Sequence, residues 1–128
     1  MGSAQGFFLN MQPLAIMIHV PEVDAGIAWY TKAFPQAKKV LLPGSGIDAL
    51  KIGNFLIEVV ESDEKVSSGK SGTVLYWQVD NLLVAMGHFQ GLGSHIHRGP
   101  LKIEQGMGMC QLTDTFGNLI GLRGVFTP

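Results

Sequence analysis

The sequence is poor in charge, in cysteine and in long hydrophobic runs. Charged residues make up 15% of its 128 residues, and 9 Lys and Arg against 10 Asp and Glu leave a net charge of -1. Nucleic-acid backbones and anionic membranes are bound by clusters of basic residues, and the sequence contains no such cluster. It therefore predicts neither a nucleic-acid partner nor a membrane partner.

The single cysteine, Cys110, excludes an intramolecular disulfide and favours a reducing, cytoplasmic location. The longest apolar run, Leu14 to Ile18, is far shorter than the ~20 residues that a membrane-spanning helix needs. The first ten residues do not have the basic and apolar regions of a signal peptide. Residues 1–13 are interpreted as an N-terminal extension, part of which is typical of a vector-derived leader, and residues 14–126 as a single domain.

Glycine and apolar residues are abundant: the chain has 17 Gly and is 46% hydrophobic, which predicts short elements joined by tight turns. From Leu14 the pattern predicts a strand, a helix and three strands, and this order returns after the polar linker 62–72. Gly53-Asn54 and Gly117-Asn118 mark equivalent turns in modules 14–61 and 73–126. The predicted fold class is α+β, with two tandem βαβββ modules.

Helix and strand ends follow from local signals. Asp24 and Asp80 are expected to cap the two helices, and strands are predicted over 55–61, 94–98, 109–113 and 119–125. The segment Gly106 to Met109 is expected to form a loose loop, with a lid over an apolar ligand as the alternative.

Two stretches carry a family resemblance: Val20 to Tyr30 (VPEVDAGIAWY) and Asp114 to Leu122 (DTFGNLIGL), together with the Val79-Asp80 helix start. In this order and spacing they resemble the vicinal oxygen chelate superfamily, which includes glyoxalase I, bleomycin-resistance proteins, fosfomycin-resistance enzymes and extradiol dioxygenases. The resemblance covers about Leu14 to Gly124. It implies that the paired βαβββ units form a curved mixed sheet around a cleft, and that the protein is a homodimer.

The resemblance also implies where a metal would be bound. In metal-dependent members four ligands project from the first and last strands of each unit, and these positions fall on Ala15, Glu58, Val74 and Gly121. Only Glu58 carries a donor side chain, whereas a closed site needs three protein ligands or more. No cofactor is therefore predicted, and a divalent metal is disfavoured.

Strand periodicity separates two faces, because alternate side chains point to opposite sides of a sheet. Residues 16, 18, 20, 57, 59, 75, 77 and 79 are apolar and are expected to lie under the helices. The opposite face is expected to bind a small molecule. Its candidate ligand-binding residues are Met17, His19, Glu58, Tyr76, Gln78 and Arg123.

Each candidate has an alternative. Glu58 could be a general base whose pKa is raised by burial, or a carboxylate paired with Arg123 or Lys51. Tyr76 and Gln78 could contact a planar ligand or pack at a subunit seam. Arg123 could hold an anionic group or a partner carboxylate, and His19 could be solvated at its strand end.

Three other side chains are weaker candidates. His95 and His97 alternate on one strand face and could contact one ion, but a surface pair is the simpler reading. Cys110 is expected to be a buried small residue. The sequence identifies no base that would activate it as a nucleophile.

Two functions remain open. In the first, the chain binds a small organic molecule in a metal-free cleft, as bleomycin-resistance proteins do. In the second, it is a lyase, isomerase or dioxygenase-type enzyme acting on a small carbonyl or oxygenated substrate, with Glu58 as base and a non-standard metal site through His19 or the histidine pair. If the protein is an enzyme, Glu58 is the only catalytic candidate.

Overall fold

The fold was analysed in a computed structural model, which describes residues 13–42, 48–64, 67–70, 74–104 and 106–128. These ranges leave out residues 1–12 of the extension, the turn that the sequence Pro43 to Gly46 predicts, and Thr73 at the start of the second module. The elements of the first half are β1 (Ala15–Val20), α1 (Val23–Ala33), β2 (Lys38–Leu41), β3 (Asp48–Ile52) and β4 (Phe55–Glu61). Those of the second half are β5 (Tyr76–Asn81), α2 (Leu82–Gly91), β6 (His95–Glu104), β7 (Met107–Thr113) and β8 (Leu119–Val125).

The predicted α+β fold with two βαβββ modules is confirmed. The strands form two four-stranded sheets, with orders β1-β4-β3-β2 and β5-β8-β7-β6. In each sheet the first and last strands of the module pair in parallel, and the other pairs are antiparallel. The two sheets therefore repeat one topology, and in each of them the strand before the helix lies at an edge.

Both predicted helix caps were wrong by one or two positions. Glu22 caps α1, since its carboxylate accepts hydrogen bonds from the Asp24 and Ala25 amides. Asn81 caps α2 and accepts from the Val84 amide at 3.0 Å. Both caps have extended backbone, as an N-cap requires. Each helix therefore begins directly after the last residue with extended backbone.

The turn glycines and the last strand of each module match the prediction. Gly53 and Gly117 have φ values of 59° and 95°, a region that glycine adopts without steric cost. Strands β4 and β8 have the predicted limits.

The prediction of a loop at 106–109 was wrong, because β7 starts at Met107, which pairs with Val125. Strand β6 runs to Glu104, well beyond the predicted Arg98.

One hydrophobic core contains residues from both modules. The Phe34 ring, at the end of α1, lies 4.5 Å from that of Trp77 in β5. The Trp29 indole donates a hydrogen bond of 2.9 Å to the Leu92 carbonyl, and Phe55 contacts Trp77 from β4. Within the described ranges, neither helix is long and apolar enough to cross a membrane.

Candidate functional site

The strand registers place the candidate residues in two groups. Met17 of β1 pairs with Glu58 of β4. Tyr76 of β5 pairs with Gly121 of β8, and Gln78 pairs with Arg123 two positions further along. Residues paired in this way share one face of their sheet, so the predicted face of each module exists as a surface. Whether these residues bind a ligand stays a prediction.

Tyr76 lies across the neighbouring strand. A Cβ atom added to Gly121 would be 2.5 Å from Cδ1 of Tyr76, so the ring occupies the space that a side chain at position 121 would need. Beyond Gly121, the Gln111 side-chain amide of β7 donates a hydrogen bond of 2.7 Å to the Tyr76 hydroxyl. The ring is therefore anchored across three strands. Gln111 was not among the predicted site residues.

The Arg123 guanidinium completes this cluster, with its central carbon 4.7 Å from the centroid of the Tyr76 ring. That distance is within the range of a cation–π interaction. Arg123 is exposed, and it forms no ion pair with a described carboxylate. Its N–H groups are thus available to an anionic group in the plane of the guanidinium.

Glu58 is half-buried on the other module. The pairing with Arg123 or Lys51 considered above was wrong: within the described ranges the ion pair present joins Lys39 to Asp48 at 3.4 Å. Arg123 instead packs on Tyr76. Glu58 also accepts no hydrogen bond from a described residue, which leaves its carboxylate open to a ligand.

Met17 and His19 line a cavity of about 170 Å³ between β1 and the start of β8, together with Leu75 and Asn118. The His19 carbonyl accepts hydrogen bonds from the Ser68 hydroxyl at 2.6 Å and from the Asn118 amide at 3.1 Å. These bonds fix the backbone of His19 at the seam between the modules. Met17 is 53% exposed.

The metal site implied by the resemblance does not fit these residues. Ala15, Val74 and Gly121 offer no donor atom, and Tyr76 fills the space beside Gly121. Among the described residues no group of three His, Cys, Asp or Glu is placed to hold a metal ion. A resident metal bound at the superfamily positions would therefore have Glu58 as its only side-chain ligand.

The remaining candidates occupy ordinary structural positions. His95 and His97 are both exposed on β6. Cys110 is fully buried, and burial raises the pKa of its thiol to about 11, which keeps it protonated and unreactive near neutral pH. The prediction of a buried small residue is confirmed for Cys110.

The two stretches that carry the resemblance contact each other. The Tyr30 hydroxyl of α1 donates a hydrogen bond of 2.6 Å to Oδ2 of Asp114, in the turn between β7 and β8. Asp114 is 2% exposed and also accepts from the Phe116 and Asn118 amides. Both stretches thus join the modules, a role that the sequence analysis did not identify. The signal available in the sequence was an Asp at the start of a predicted turn.

Comparison with known proteins gives the fold a context. No protein-family model and no curated protein sequence matches the chain. Among solved structures, a protein from the mobile metagenome of V. pseudocholerae has 25% sequence identity and a TM-score of 0.69, over 89% of this chain and 94% of that one.

Two further structures have lower identity. A glyoxalase/bleomycin resistance protein/dioxygenase family enzyme from Burkholderia phytofirmans has 17% identity and a TM-score of 0.70, over 88% of this chain and 97% of that one. The fosfomycin resistance protein FosX from Listeria monocytogenes, complexed with Mn(II) and sulfate, has 14% identity and a TM-score of 0.69, over 91% and 90%. The chain shares the fold of these solved structures, and this fold agrees with the one that the resemblance to the vicinal oxygen chelate superfamily implies.

Proposed function

We propose that this protein binds a small planar organic anion, without a resident metal, on the strand face that carries Tyr76 and Arg123. The observation that carries the proposal is the Tyr76 ring, which fills the space beside Gly121 and is held by Gln111 and Arg123. A glycine here accommodates an aromatic ring where a metal-dependent relative would place a ligand. The position then supports stacking instead of coordination.

Each residue of the cluster has a distinct task in this proposal. Arg123 binds the anionic group through paired N–H donors, and its guanidinium is kept in place by the Tyr76 ring. Gln111 fixes the ring through the hydroxyl. Gln78, which pairs with Arg123, supplies a neutral amide donor and acceptor at the rim of the site.

Met17, His19 and Glu58 form the contribution of the first module. Met17 offers a flexible, polarizable surface that adapts to an apolar ligand body, and it is exposed beside Glu58. Glu58 selects for ligands that present a hydrogen-bond donor, because its carboxylate has no described partner. His19 marks the seam at which the two modules meet.

The test is an NMR titration with 2-naphthoate, a planar carboxylate. We expect saturable shifts of the Tyr76 and Gly121 amides and of the Gln111 side-chain amide, and about tenfold weaker binding for Arg123→Gln, since a charge-assisted bidentate contact is lost. Arg98→Gln removes an equally exposed arginine from β6 and is expected to bind normally. Equal affinities of the two variants, or shifts scattered over the surface, would refute the proposed site.

The metal-free part is tested by elemental analysis of protein purified without chelators. We expect nickel, zinc and iron to be far below one equivalent per chain, because the superfamily positions offer only Glu58 as a ligand. A stoichiometric amount of any of them would overturn this part of the proposal while leaving the naphthoate result to stand separately.

A second candidate function, favoured by the unpartnered carboxylate of Glu58, is proton abstraction from a small carbonyl substrate. Such an enzyme would exchange a C–H hydrogen of the substrate for deuterium in deuterated water. The wild type is then expected to catalyse this exchange, and Glu58→Gln to abolish it. Ligand binding without such exchange favours the binding protein.

We further infer a homodimer, supported by exposed apolar residues, and a cytoplasmic location, supported by the single buried cysteine.

A further inference from the structure

A second cavity lies on the helix side of β5, away from Tyr76. Its volume is about 600 Å³, and it lies between the end of α1, the strand β5 and the helix α2, open to the surface. Its apolar wall includes Phe34, Trp77, Phe89 and Leu122. A cavity of this size with aromatic walls is typical of sites for small organic molecules.

The aromatic wall is already organised. The Phe34 ring lies 4.5 Å from that of Trp77 and 5.8 Å from that of Phe89, with tilted and edge-on geometries. Phe34 and Phe89 are almost fully buried, whereas Trp77 is partly exposed. The rings therefore pack on one another, and the remaining surface of Trp77 is open to a flat ligand.

The electrostatic character of the cavity favours a cation. The described residues that line it include no Lys or Arg; they include His88 and, beside the register shift between Val79 and Asn81, Asp80. Asp80 is exposed and has no ion-pair partner among the described residues. Residues 33–36 at the C-terminal end of α1 also line it, and a helix C-terminus carries a partial negative charge. His88 points one ring nitrogen at the Ala33 carbonyl, 3.1 Å away, so this nitrogen is a donor to the helix end.

We propose that this cavity is a binding site for a planar aromatic cation, such as a protonated aromatic amine. The ring system of the ligand stacks on Trp77, and its positive charge faces Asp80 and the end of α1. Cations are also attracted to the faces of aromatic rings, most strongly to that of tryptophan. The aromatic wall and the charge of the rim thus select the same ligand class.

This cavity lies on the opposite face of β5 from Tyr76 and Arg123, although Trp77 also lines the smaller cavity beside Met17 and His19. Tyr76 and Trp77 are neighbours in the strand and therefore point to opposite faces of the sheet. Gln78 borders the helix-side cavity and pairs with Arg123, so it lies between the two sites.

The experiment is a titration of ¹⁵N-labelled protein with proflavine, a planar tricyclic cation. The chain has two tryptophans, of which Trp77 lines the cavity and Trp29 does not. We expect a saturable shift of the Trp77 indole resonance, with that of Trp29 unchanged. Anthracene-9-carboxylate, an anion of the same shape, is expected to bind there at least tenfold more weakly because Asp80 repels it.

Two surface variants locate the site. Val84 lines the cavity and is 70% exposed, whereas Leu83, 43% exposed, does not line it. Val84→Arg adds bulk and positive charge at the rim and is expected to weaken proflavine binding about tenfold, while Leu83→Arg leaves it unchanged. Asp80→Asn is expected to weaken it roughly threefold, as for an exposed charge pair.

Three outcomes overturn the inference: equal affinity for the cation and the anion, equal effects of Val84→Arg and Leu83→Arg, or a response confined to Trp29. Both variants change exposed side chains, and their amide spectra report directly whether the fold is retained. Binding of 2-naphthoate on the Tyr76 face does not enter any of these comparisons. The outcomes of the 2-naphthoate and proflavine titrations are therefore interpreted separately.

Discussion

Gly121 is the residue whose small size the site depends on most directly. Gly121→Ala would place a Cβ atom 2.5 Å from Cδ1 of Tyr76, and forcing extra atoms into a packed contact costs about 1–3 kcal/mol. We expect the variant to lose about that much free energy of unfolding in urea. In a Tyr76→Ala background the same substitution should cost almost nothing, since the ring is gone.

The matched control for this prediction is Gly87→Ala on α2, where an added Cβ meets nothing within 4 Å. Alanine stabilises a helix by about 0.5–1 kcal/mol relative to glycine, so this variant should be more stable than the wild type. If Gly121→Ala costs the same with and without the Tyr76 ring, the contact between these two residues is not the cause.

At the level of single residues, periodicity predicted which side chains share a face but not what they touch. The pairs Met17–Glu58 and Gln78–Arg123 follow from alternation along strands once the strand order is known. The bond from Gln111 to Tyr76 joins residues 35 positions apart and depends on β8 lying between β5 and β7. A glycine inside a predicted strand does indicate a close neighbour, but the sequence does not identify that neighbour.

Among the elements, α1 and the turn between β7 and β8 are coupled through Tyr30 and Asp114. Burial raises the pKa of the Tyr30 phenol well above 10.0, and the charge of Asp114 and the hydrogen bond to it act in the same direction. The folded state therefore favours the protonated phenol. Its contribution to stability is complete below the unfolded pKa of about 10 and is lost as the pH rises above it.

We predict that the free energy of unfolding of the wild type falls more steeply above pH 10 than that of Tyr30→Phe. Near neutral pH, Tyr30→Phe should be about 1.5–3 kcal/mol less stable, because a hydrogen bond to a buried carboxylate is lost. Urea unfolding across this pH range measures both effects. Cys110 also titrates there, so the comparison is between variants, and parallel pH profiles would contradict the prediction.

The control for this element is Tyr76→Phe, which removes the other tyrosine hydroxyl of the chain. It keeps Tyr30 and Asp114 in place and should retain the steep loss of stability at alkaline pH that the wild type shows.

The limits of β4 and β8 were predictable because glycine turns precede both. The start of β7 was not, because its pairing with Val125 is long-range.

For the whole molecule, the two modules share a core but leave apolar side chains exposed. Leu14, Met17 and Leu41 are 69%, 53% and 65% exposed, and Leu14 and Leu41 line one hollow of about 340 Å³ that extends across the first sheet from β1 to β2. Exposed apolar groups concentrated in one region are typical of contact surfaces between proteins. We therefore place the contact of the proposed homodimer there.

Light scattering should give twice the chain mass of 13.8 kDa, and the unfolding temperature should rise with protein concentration, because association stabilises only the folded chain. Leu41→Glu introduces a charge into the apolar contact and is expected to give the mass of a single chain. Leu83→Glu, which alters an exposed leucine on α2, should remain a dimer. A single-chain mass for the wild type would contradict the dimer itself. A buried unpaired carboxylate is not accommodated in a dry interface, so a Leu41→Glu variant that remains a dimer would contradict only the proposed contact surface.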